Sequence, residues 1–353
     1  MAHELRSLTI KGYKSIKAVD NLPLRRLNVL IGANGAGKSN FISLFRLLER
    51  IQSKELQLHV AAQGGPDIFL FGGRSVSPSL LCELSFDNNG YCLELQATND
   101  NRLVFKNEAF LWDYTPDKQY PLGMGHDETR MHDGMYPRMH EFIVPTLSSW
   151  RVYHFHDTGE NARVKRVGPV ASNVALESDA GNLAAFLLCM RVDNPICYDA
   201  IVALVKRVAP FFGDFVLVPN GEFIQLRWKK VGEEAVWPAS TLSDGTLRFI
   251  CLATLLLQPE KSMPSTIIID EPELGLHPFA VALLADVLQS VSQQHQIIVS
   301  TQSVELVNNL DADDLVVVDI EDGASILTRP DKQQLAVWLE DYSLGEIWKA
   351  NLI

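Results

Sequence analysis

The chain has 353 residues, of which 47% are apolar and 21% charged, which excludes a collagenous or low-complexity protein and indicates about two domains or one composite domain. A net charge of −12 argues against a nucleic-acid coat protein or a membrane-surface binder, although it allows a local basic groove. There is no run of about 18 uncharged apolar residues, and charges near the start fall where a signal peptide needs an apolar run. We therefore expect a cytoplasmic protein with no membrane partner. The five cysteines form no C-x-x-C pair, which predicts buried thiols.

A strand, a glycine-rich loop and a helix are predicted in that order near the N-terminus. Residues 5–10 have β-type composition, and the apolar run 27–31 is short enough for a buried strand. Beyond the glycines, apolar residues recur with the spacing of one helix face: Phe41, Leu44, Phe45, Leu48 and Ile51.

The middle of the chain is less regular. Residues 56–105 alternate short apolar runs with Gly and Asn turns, which predicts meandering strands. Residues 110–170 predict an insertion with long loops, and helical patterns follow at 181–192 and 196–209. No repeat or sustained heptad pattern is present, so we expect no long coiled-coil arm.

The last third returns to buried strands alternating with helices. Strands are predicted at 266–270, 296–300 and 315–319, and helices near 277–293 and 303–309. This alternation predicts an α/β fold with a mixed, mostly parallel sheet that is flanked by helices.

The run Gly32-Ala33-Asn34-Gly35-Ala36-Gly37-Lys38-Ser39 matches the phosphate-loop pattern G-x-x-x-x-G-K-[ST]. It lies between the predicted strand and helix, where backbone N–H groups and the helix N-terminus can surround phosphate oxygens. Lys38 would neutralise phosphate charge, and the Ser39 hydroxyl would bind Mg²⁺. The predicted nucleotide-binding residues are Asn34, Gly35, Ala36, Gly37, Lys38, Ser39 and Asn40.

A phosphate loop also needs an acid that holds the metal and a group that activates water. Asp270 closes the predicted strand 266–270 and is placed to hold Mg²⁺ together with Ser39. Glu271 follows at once and is predicted to accept a proton from the attacking water.

The motifs, in order and spacing, resemble the ABC-type ATPases of the RecF and SMC group. They are the phosphate loop, LSDGT at 242–246 in place of a signature such as LSGGQ, DEPELGLHP at 270–278 and STQS at 300–303. Compact bacterial proteins of the AAA ATPase family share further segments at 153–158, 181–187 and 342–348. The resemblance implies an ABC/RecF-type nucleotide-binding fold with an inserted second lobe.

The resemblance also implies a head-to-tail homodimer with ATP and Mg²⁺ held between the copies. Ser243 and Gly245 open a second helix, whose N-terminus would face the γ-phosphate bound by the partner copy. Asp244 is a departure, because many relatives carry glycine there. Gln302 replaces the histidine that many ABC ATPases place near the γ-phosphate, and its uncharged amide predicts slow or partner-stimulated hydrolysis. Lys38, Glu271 and Gln302 are the predicted catalytic residues.

Because Lys38 must meet Asp270, both ends of the chain are expected to build one ATP-binding lobe. We predict this lobe at residues 1–105 and 236–328, an inserted second lobe at 106–235 and a C-terminal tail at 329–353. The leading hypothesis is an ATPase whose ATP-dependent dimerisation gates an effector protein encoded nearby, for example a nuclease in bacterial DNA repair or anti-phage defence. The alternatives are a RecF-like DNA clamp and the motor subunit of a transporter.

Some weaker patterns need a structural test. His154 and His156 alternate as metal ligands do, but no third ligand is identifiable. Gln63 is a candidate metal-sensing glutamine, and His277 is a candidate residue of the dimer interface. A DNA clamp would require convergence of basic clusters, which lie at 163–166, 206–207 and 227–230. The acids at 311–314 resemble those of Toprim nucleases but are better explained as a turn before a strand.

Overall fold

Two six-stranded sheets form the framework of the protein in the computed structural model, which describes residues 4–112, 119–350 and 352. The first sheet is antiparallel, with strand order β2-β1-β4-β5-β6-β7. Its strands are β1 (Ser7–Tyr13), β2 (Ile16–Pro23), β4 (Ser79–Ser85), β5 (Asn89–Ala97), β6 (Leu103–Trp112) and β7 (Gln119–Gly123).

The second sheet has the order β17-β16-β3-β15-β14-β8 and is parallel except for the β16–β17 pair. The predicted mixed, mostly parallel sheet is therefore confirmed. Its strands are β3 (Leu27–Ile31), β8 (Arg151–Tyr153), β14 (Thr266–Asp270), β15 (Gln296–Ser300), β16 (Leu315–Glu321) and β17 (Ala324–Thr328). Two small antiparallel sheets contain β9 (Gly168–Pro169), β10 (Phe212–Phe215), β11 (Phe223–Ile224), β12 (Arg227–Lys230) and β13 (Val236–Pro238).

Ten helices are present in the described part of the chain, and the longest have 15 residues. None of these helices is long and apolar enough to cross a bilayer. The helices are α1 (Lys38–Gln52), α2 (Leu56–Gln63), α3 (Pro137–Ser149), α4 (Leu183–Asp193), α5 (Pro195–Val208), α6 (Asp244–Leu256), α7 (Pro278–Ser292), α8 (Val304–Asn308), α9 (Lys332–Trp338) and α10 (Leu344–Lys349).

The parallel sheet separates two hydrophobic cores, because its strands bury side chains on both faces. Ile267 and Ile269 of β14 belong to one core, whereas Ile268 belongs to the other. The first core also contains α4 to α7, and the second lies between the parallel sheet, α1 and the antiparallel sheet. Burial on both faces explains why these strands read as continuous apolar runs in the sequence.

The prediction of strands throughout 56–105 is wrong at its start, because residues 56–63 form helix α2. The carboxylate of Glu128, far along the chain, accepts hydrogen bonds from the backbone N of Leu56 (3.0 Å) and Gln57 (2.9 Å) at the beginning of this helix. The sequence pattern around residues 56–63 cannot reveal this cap, because Glu128 is distant in the sequence. Strands begin only at Ser79, with β4.

The expected lobe boundaries differ from the observed strand pairing at two points. The boundary at residue 105 falls inside β6, which pairs with β5 along most of its length. Strand β8 comes from the expected inserted lobe but pairs with β14 in the parallel sheet. Residues 1–3, 113–118, 351 and 353 of the expected divisions lie outside the described residues.

Candidate nucleotide-binding site

The phosphate loop connects β3 to α1, as predicted. Gly35 and Gly37 have φ values of 82° and 116°, a region that favours glycine. Helix α1 begins without a side-chain cap and without an acid in its first turn, so its N–H groups remain available to phosphate oxygens. The Lys38 ammonium turns back into the loop, where it donates to Gly32 O (2.7 Å) and Ala33 O (3.0 Å).

Two serines that sequence reasoning did not find support this loop from the β1–β2 turn and from β17. Ser325 Oγ donates to Ala36 O (2.5 Å) and lies 2.7 Å from Ser15 Oγ. Asn40, which was predicted to bind nucleotide, donates its amide to Ser15 Oγ (2.7 Å). A Cβ atom at Gly37 would lie 2.1 Å from Ser325 Oγ, so the serine packs directly against the loop.

The substitution Gly32→Ala is expected to destabilise the protein strongly. An added Cβ would lie 2.0 Å from the backbone oxygen of Val318 in β16, and the backbone there cannot move without breaking the sheet. We expect a loss of about 3 kcal/mol in the free energy of unfolding, measured by denaturant titration. Gly35→Ala is the matched control, because it also has positive φ but no atom within 4 Å of its Cβ, and it should cost about 1 kcal/mol. Equal losses would contradict the packing argument.

The two predicted acids lie at the end of β14, where Asp270 is its last residue and Glu271 follows, at the same edge of the parallel sheet as the phosphate loop. Asp270 pairs with Ser300 of β15, and Ser300 pairs with Leu30 of β3, so the three residues form one row across the sheet. The Ser300 hydroxyl donates to Asp270 Oδ1. Glu271 N donates to Ser300 O (2.9 Å), and Glu271 has a φ of 45°, which is unusual for a residue other than glycine.

Gln302 lies beside Glu271, and its Nε2 amide donates to the Glu271 Oε1 carboxylate. Both residues follow the ends of adjacent parallel strands. Burial lowers the pKa of the Lys38 ammonium, and attraction from Glu271, Asp270 and Glu273 opposes this shift. The structure thus brings Lys38, Asp270, Glu271 and Gln302 together from segments more than 230 residues apart in the sequence.

The oxygen atoms near this edge fit a magnesium ion. Mg²⁺ prefers oxygen ligands and usually keeps several waters, so it needs few protein groups besides nucleotide phosphates. Ser39 offers an exposed hydroxyl at the start of α1, and Asp270 offers a carboxylate that Ser300 orients. Among the described residues, no group of three His, Cys, Asp or Glu side chains makes a metal site of its own.

The signature segment forms the beginning of α6. Ser243 caps the helix by accepting from Thr246 N (3.2 Å), and the residue is exposed. Gly245 packs so closely against the loop after β14 that a Cβ would lie 2.4 Å from Gly275 O. Close packing against Gly275 therefore favours glycine at position 245, in addition to the predicted role of Gly245 in phosphate binding.

Arg248 of α6 joins three segments, and it was not singled out from the sequence. Its guanidinium donates to Phe155 O (3.2 Å), His156 O (2.9 Å) and Leu274 O (2.7 Å). The His156 ring lies 2.9 Å from the backbone oxygen of Asp270 through Nε2. His156 therefore contacts β14, the strand that carries Asp270. Burial lowers the pKa of the nearby His154.

The remaining weak candidates lie at helix ends and in a turn. Gln63 ends α2 in an exposed position. His277 caps α7 by accepting from Phe279 N (3.3 Å). Acids 311–314 form a turn before β16, as expected.

Three members of the predicted basic clusters are paired with acids, and one of them is Lys230, whose ammonium lies 3.8 Å from the Glu233 carboxylate. Arg163 lies 2.5 Å from Glu177 and 3.0 Å from Asp179, measured between charged atoms. Lys165 lies 3.6 Å from Asp244, the residue that departs from the usual signature. These pairs reduce the charge that the clusters at 163–166 and 227–230 offer to a phosphate backbone.

The family model described as "AAA domain, putative AbiEii toxin, Type IV TA system" matches residues 27–123 and 151–308, which is more than half of the chain. The chain belongs to this AAA family. The matched ranges contain the phosphate loop, the signature segment, both acids and Gln302.

Solved structures with the same fold include heads of Smc proteins. An Smc head bound to the C-winged helix domain of ScpA is 15% identical, with a TM-score of 0.64 over 94% of this chain and 99% of that chain. A Pyrococcus furiosus Smc head with an extended coiled coil, bound to the C-terminal domain of ScpA, is 14% identical, with a TM-score of 0.60 over 96% and 98%. A Pyrococcus yayanosii Smc head with a coiled coil and joint is 12% identical, with a TM-score of 0.59 over 96% and 99%. The family match confirms the expected AAA-family membership, and the shared fold confirms the expected SMC-like architecture.

Proposed function

We propose that this AAA-family protein binds and slowly hydrolyses ATP, and that ATP-dependent dimerisation gates a separate effector protein. The effector class that we propose is a nuclease acting in DNA repair or anti-phage defence. The observation that carries the ATPase part is the contact between Glu271 and Gln302, beside Asp270 and across from Lys38. A base, an amide donor, a metal-binding acid and a phosphate-binding cation occupy one edge of the sheet.

Each group has a defined task in the proposed reaction. The N–H groups of the loop and the Lys38 ammonium would bind the phosphates. Mg²⁺, held by Ser39 and Asp270, would neutralise charge on the phosphate oxygens. Glu271 would accept a proton from the attacking water, and the Gln302 amide would hold the Glu271 carboxylate in place. Because an amide adds no positive charge near the γ-phosphate, we propose slow turnover.

The proposed dimer places ATP between the phosphate loop of one copy and the start of α6 in the other. Ser243 is exposed at that helix start, as this arrangement requires. Arg248 and His156 connect α6 to Asp270 within one copy. ATP occupancy at one site is thereby proposed to affect the acids that serve the other site.

The proposal of a protein partner rests on two supports. Two of the Smc heads with the same fold are bound to domains of a separate protein, ScpA. In addition, the ion pairs of Arg163 and Lys165 disfavour the convergent basic surface that a DNA clamp needs. We therefore propose a protein effector as the main partner, and DNA binding serves as the competing outcome.

The test is to express the Glu271→Gln variant with its native neighbouring genes and purify it in ATP and Mg²⁺. Mass spectrometry and the ratio of absorbance at ultraviolet wavelengths then identify what remains bound. A stoichiometric protein partner that is released without ATP would support the proposal. Nucleic acid alone, released by salt, would replace it with the DNA clamp.

A further inference from the structure

Glu273 is a partly buried acid close to Glu271 and Gln302, and the ATPase mechanism above gives it no task. It lies on the turn after β14, two residues beyond Glu271. Its Oε1 atom accepts from Thr301 Oγ1 (2.6 Å) and from the backbone N of Gln302 (3.1 Å). Its Oε2 atom is buried and has no hydrogen-bond partner among the described residues.

The contacts of Glu273 join the chain after β14 to the chain after β15. Thr301 is fully buried, and its backbone N donates to Leu30 O (3.0 Å), so one side of this contact is anchored in the sheet. The Thr301 hydroxyl also accepts from Ser303 N (2.9 Å), at the start of α8. Gln302 therefore lies between fixed neighbours, and the bond from its own N–H to Glu273 sets the direction in which its side chain leaves the backbone.

We infer that Glu273 is a positioning residue for the hydrolysis proposed above: it holds residues 301–302 so that the Gln302 amide faces the Glu271 carboxylate. This inference rests on the proposed ATPase function. Glu273 acts through Gln302, because its own carboxylate accepts hydrogen bonds from the Thr301 hydroxyl and from the backbone N of Gln302. Burial raises the pKa of this carboxyl, while the hydrogen bonds from Thr301 and Gln302 oppose the shift.

A positioning role and a proton-transfer role predict different results for two substitutions. In Glu273→Gln, the amide oxygen can still accept both hydrogen bonds, although the charge is lost. In Glu273→Ala, both bonds are lost and the Gln302 segment is free to shift. If Glu273 positions Gln302, then Glu273→Gln keeps turnover within about threefold, whereas Glu273→Ala lowers kcat by roughly 10- to 100-fold with little change in KM for ATP.

The double variant tests whether the effect passes through Gln302. Glu273→Ala combined with Gln302→Ala should be no slower than Gln302→Ala alone, within about twofold. Glu305→Ala is the matched control, because it removes an exposed acid from α8, three residues from Gln302, and should leave turnover unchanged. The inference would be overturned if the two substitutions lowered kcat multiplicatively in the double variant. It would also be overturned if Glu273→Gln and Glu273→Ala lowered kcat equally.

Hydrogen–deuterium exchange provides a measurement that does not depend on turnover. The N–H of Gln302 is protected by Glu273, so exchange across residues 301–308 should be faster in Glu273→Ala and normal in Glu273→Gln and Glu305→Ala. If Glu273→Ala does not fold, Thr301→Val removes the other half of the contact and takes its place. A wild-type protein without ATPase activity would refute the proposed function, while unchanged exchange would refute the Glu273 contact.

Discussion

Glu271→Gln is expected to lower the turnover of ATP by about 100-fold or more while leaving ATP bound. The substitution removes the group that we propose accepts the proton of the attacking water, and proton transfer by a positioned base is worth about 10²- to 10⁴-fold. The amide has nearly the shape of the carboxylate, and its oxygen can still accept from Gln302 Nε2. Phosphate release under single-turnover conditions, together with nucleotide retention after gel filtration, measures both effects.

Glu260→Gln is the control for this variant, because Glu260 is exposed and its substitution changes the net charge by the same amount. It should hydrolyse ATP at the wild-type rate. If Glu271→Gln also turned over at that rate, Glu271 would not be the base.

Lys38→Ala is expected to weaken ATP binding by about 10- to 100-fold, since a charge-assisted hydrogen bond to phosphate contributes about 1.5–3 kcal/mol. Without nucleotide, the variant should be at least as stable as the wild type. Burial lowers the pKa of the Lys38 ammonium, which means that its charge is disfavoured in the unliganded fold. Thermal melts with and without ATP and Mg²⁺ therefore separate the loss of ligand from the loss of fold.

Lys261→Ala, which removes an exposed lysine, should keep the full thermal shift with ATP. A wild-type shift in Lys38→Ala would show that the loop does not bind phosphate through this side chain. A lower melting temperature of Lys38→Ala without nucleotide would contradict the expected cost of burying the ammonium.

The sequence predicted those parts of the fold and site that depend on local patterns. Strands β14 and β15 have the predicted bounds, because buried parallel strands read as apolar runs between turns. The loop before α1 is set by its own glycines. The proximity of Lys38 and Asp270 was predicted from the chemistry that they must share, and their common sheet edge agrees with it.

The parts that could not be predicted depend on contacts between distant segments. The Glu128 carboxylate at the start of α2 and the pairing of β8 with β14 have no local signature. No sequence signal distinguishes Ser325 from other polar residues in short strands, because its contact with the phosphate loop depends on the position of β17 in the sheet. Glu273 was part of a recognised motif, but its contact with Gln302 appears only when β14 and β15 lie side by side.

The bond from Ser325 to Ala36 spans 289 positions of the chain, and this has a consequence for synthesis on the ribosome. The loop emerges early, while β15, the acid-bearing β14 and β17 emerge late, so contacts of very large sequence separation must close before the site exists. A nascent chain ending before β14 should have no affinity for ATP, although it carries the entire phosphate-loop motif. If the protein binds ATP as proposed, binding would require that synthesis has passed β14 and that the central sheet has closed. ATP would then stabilise only chains that have reached this state.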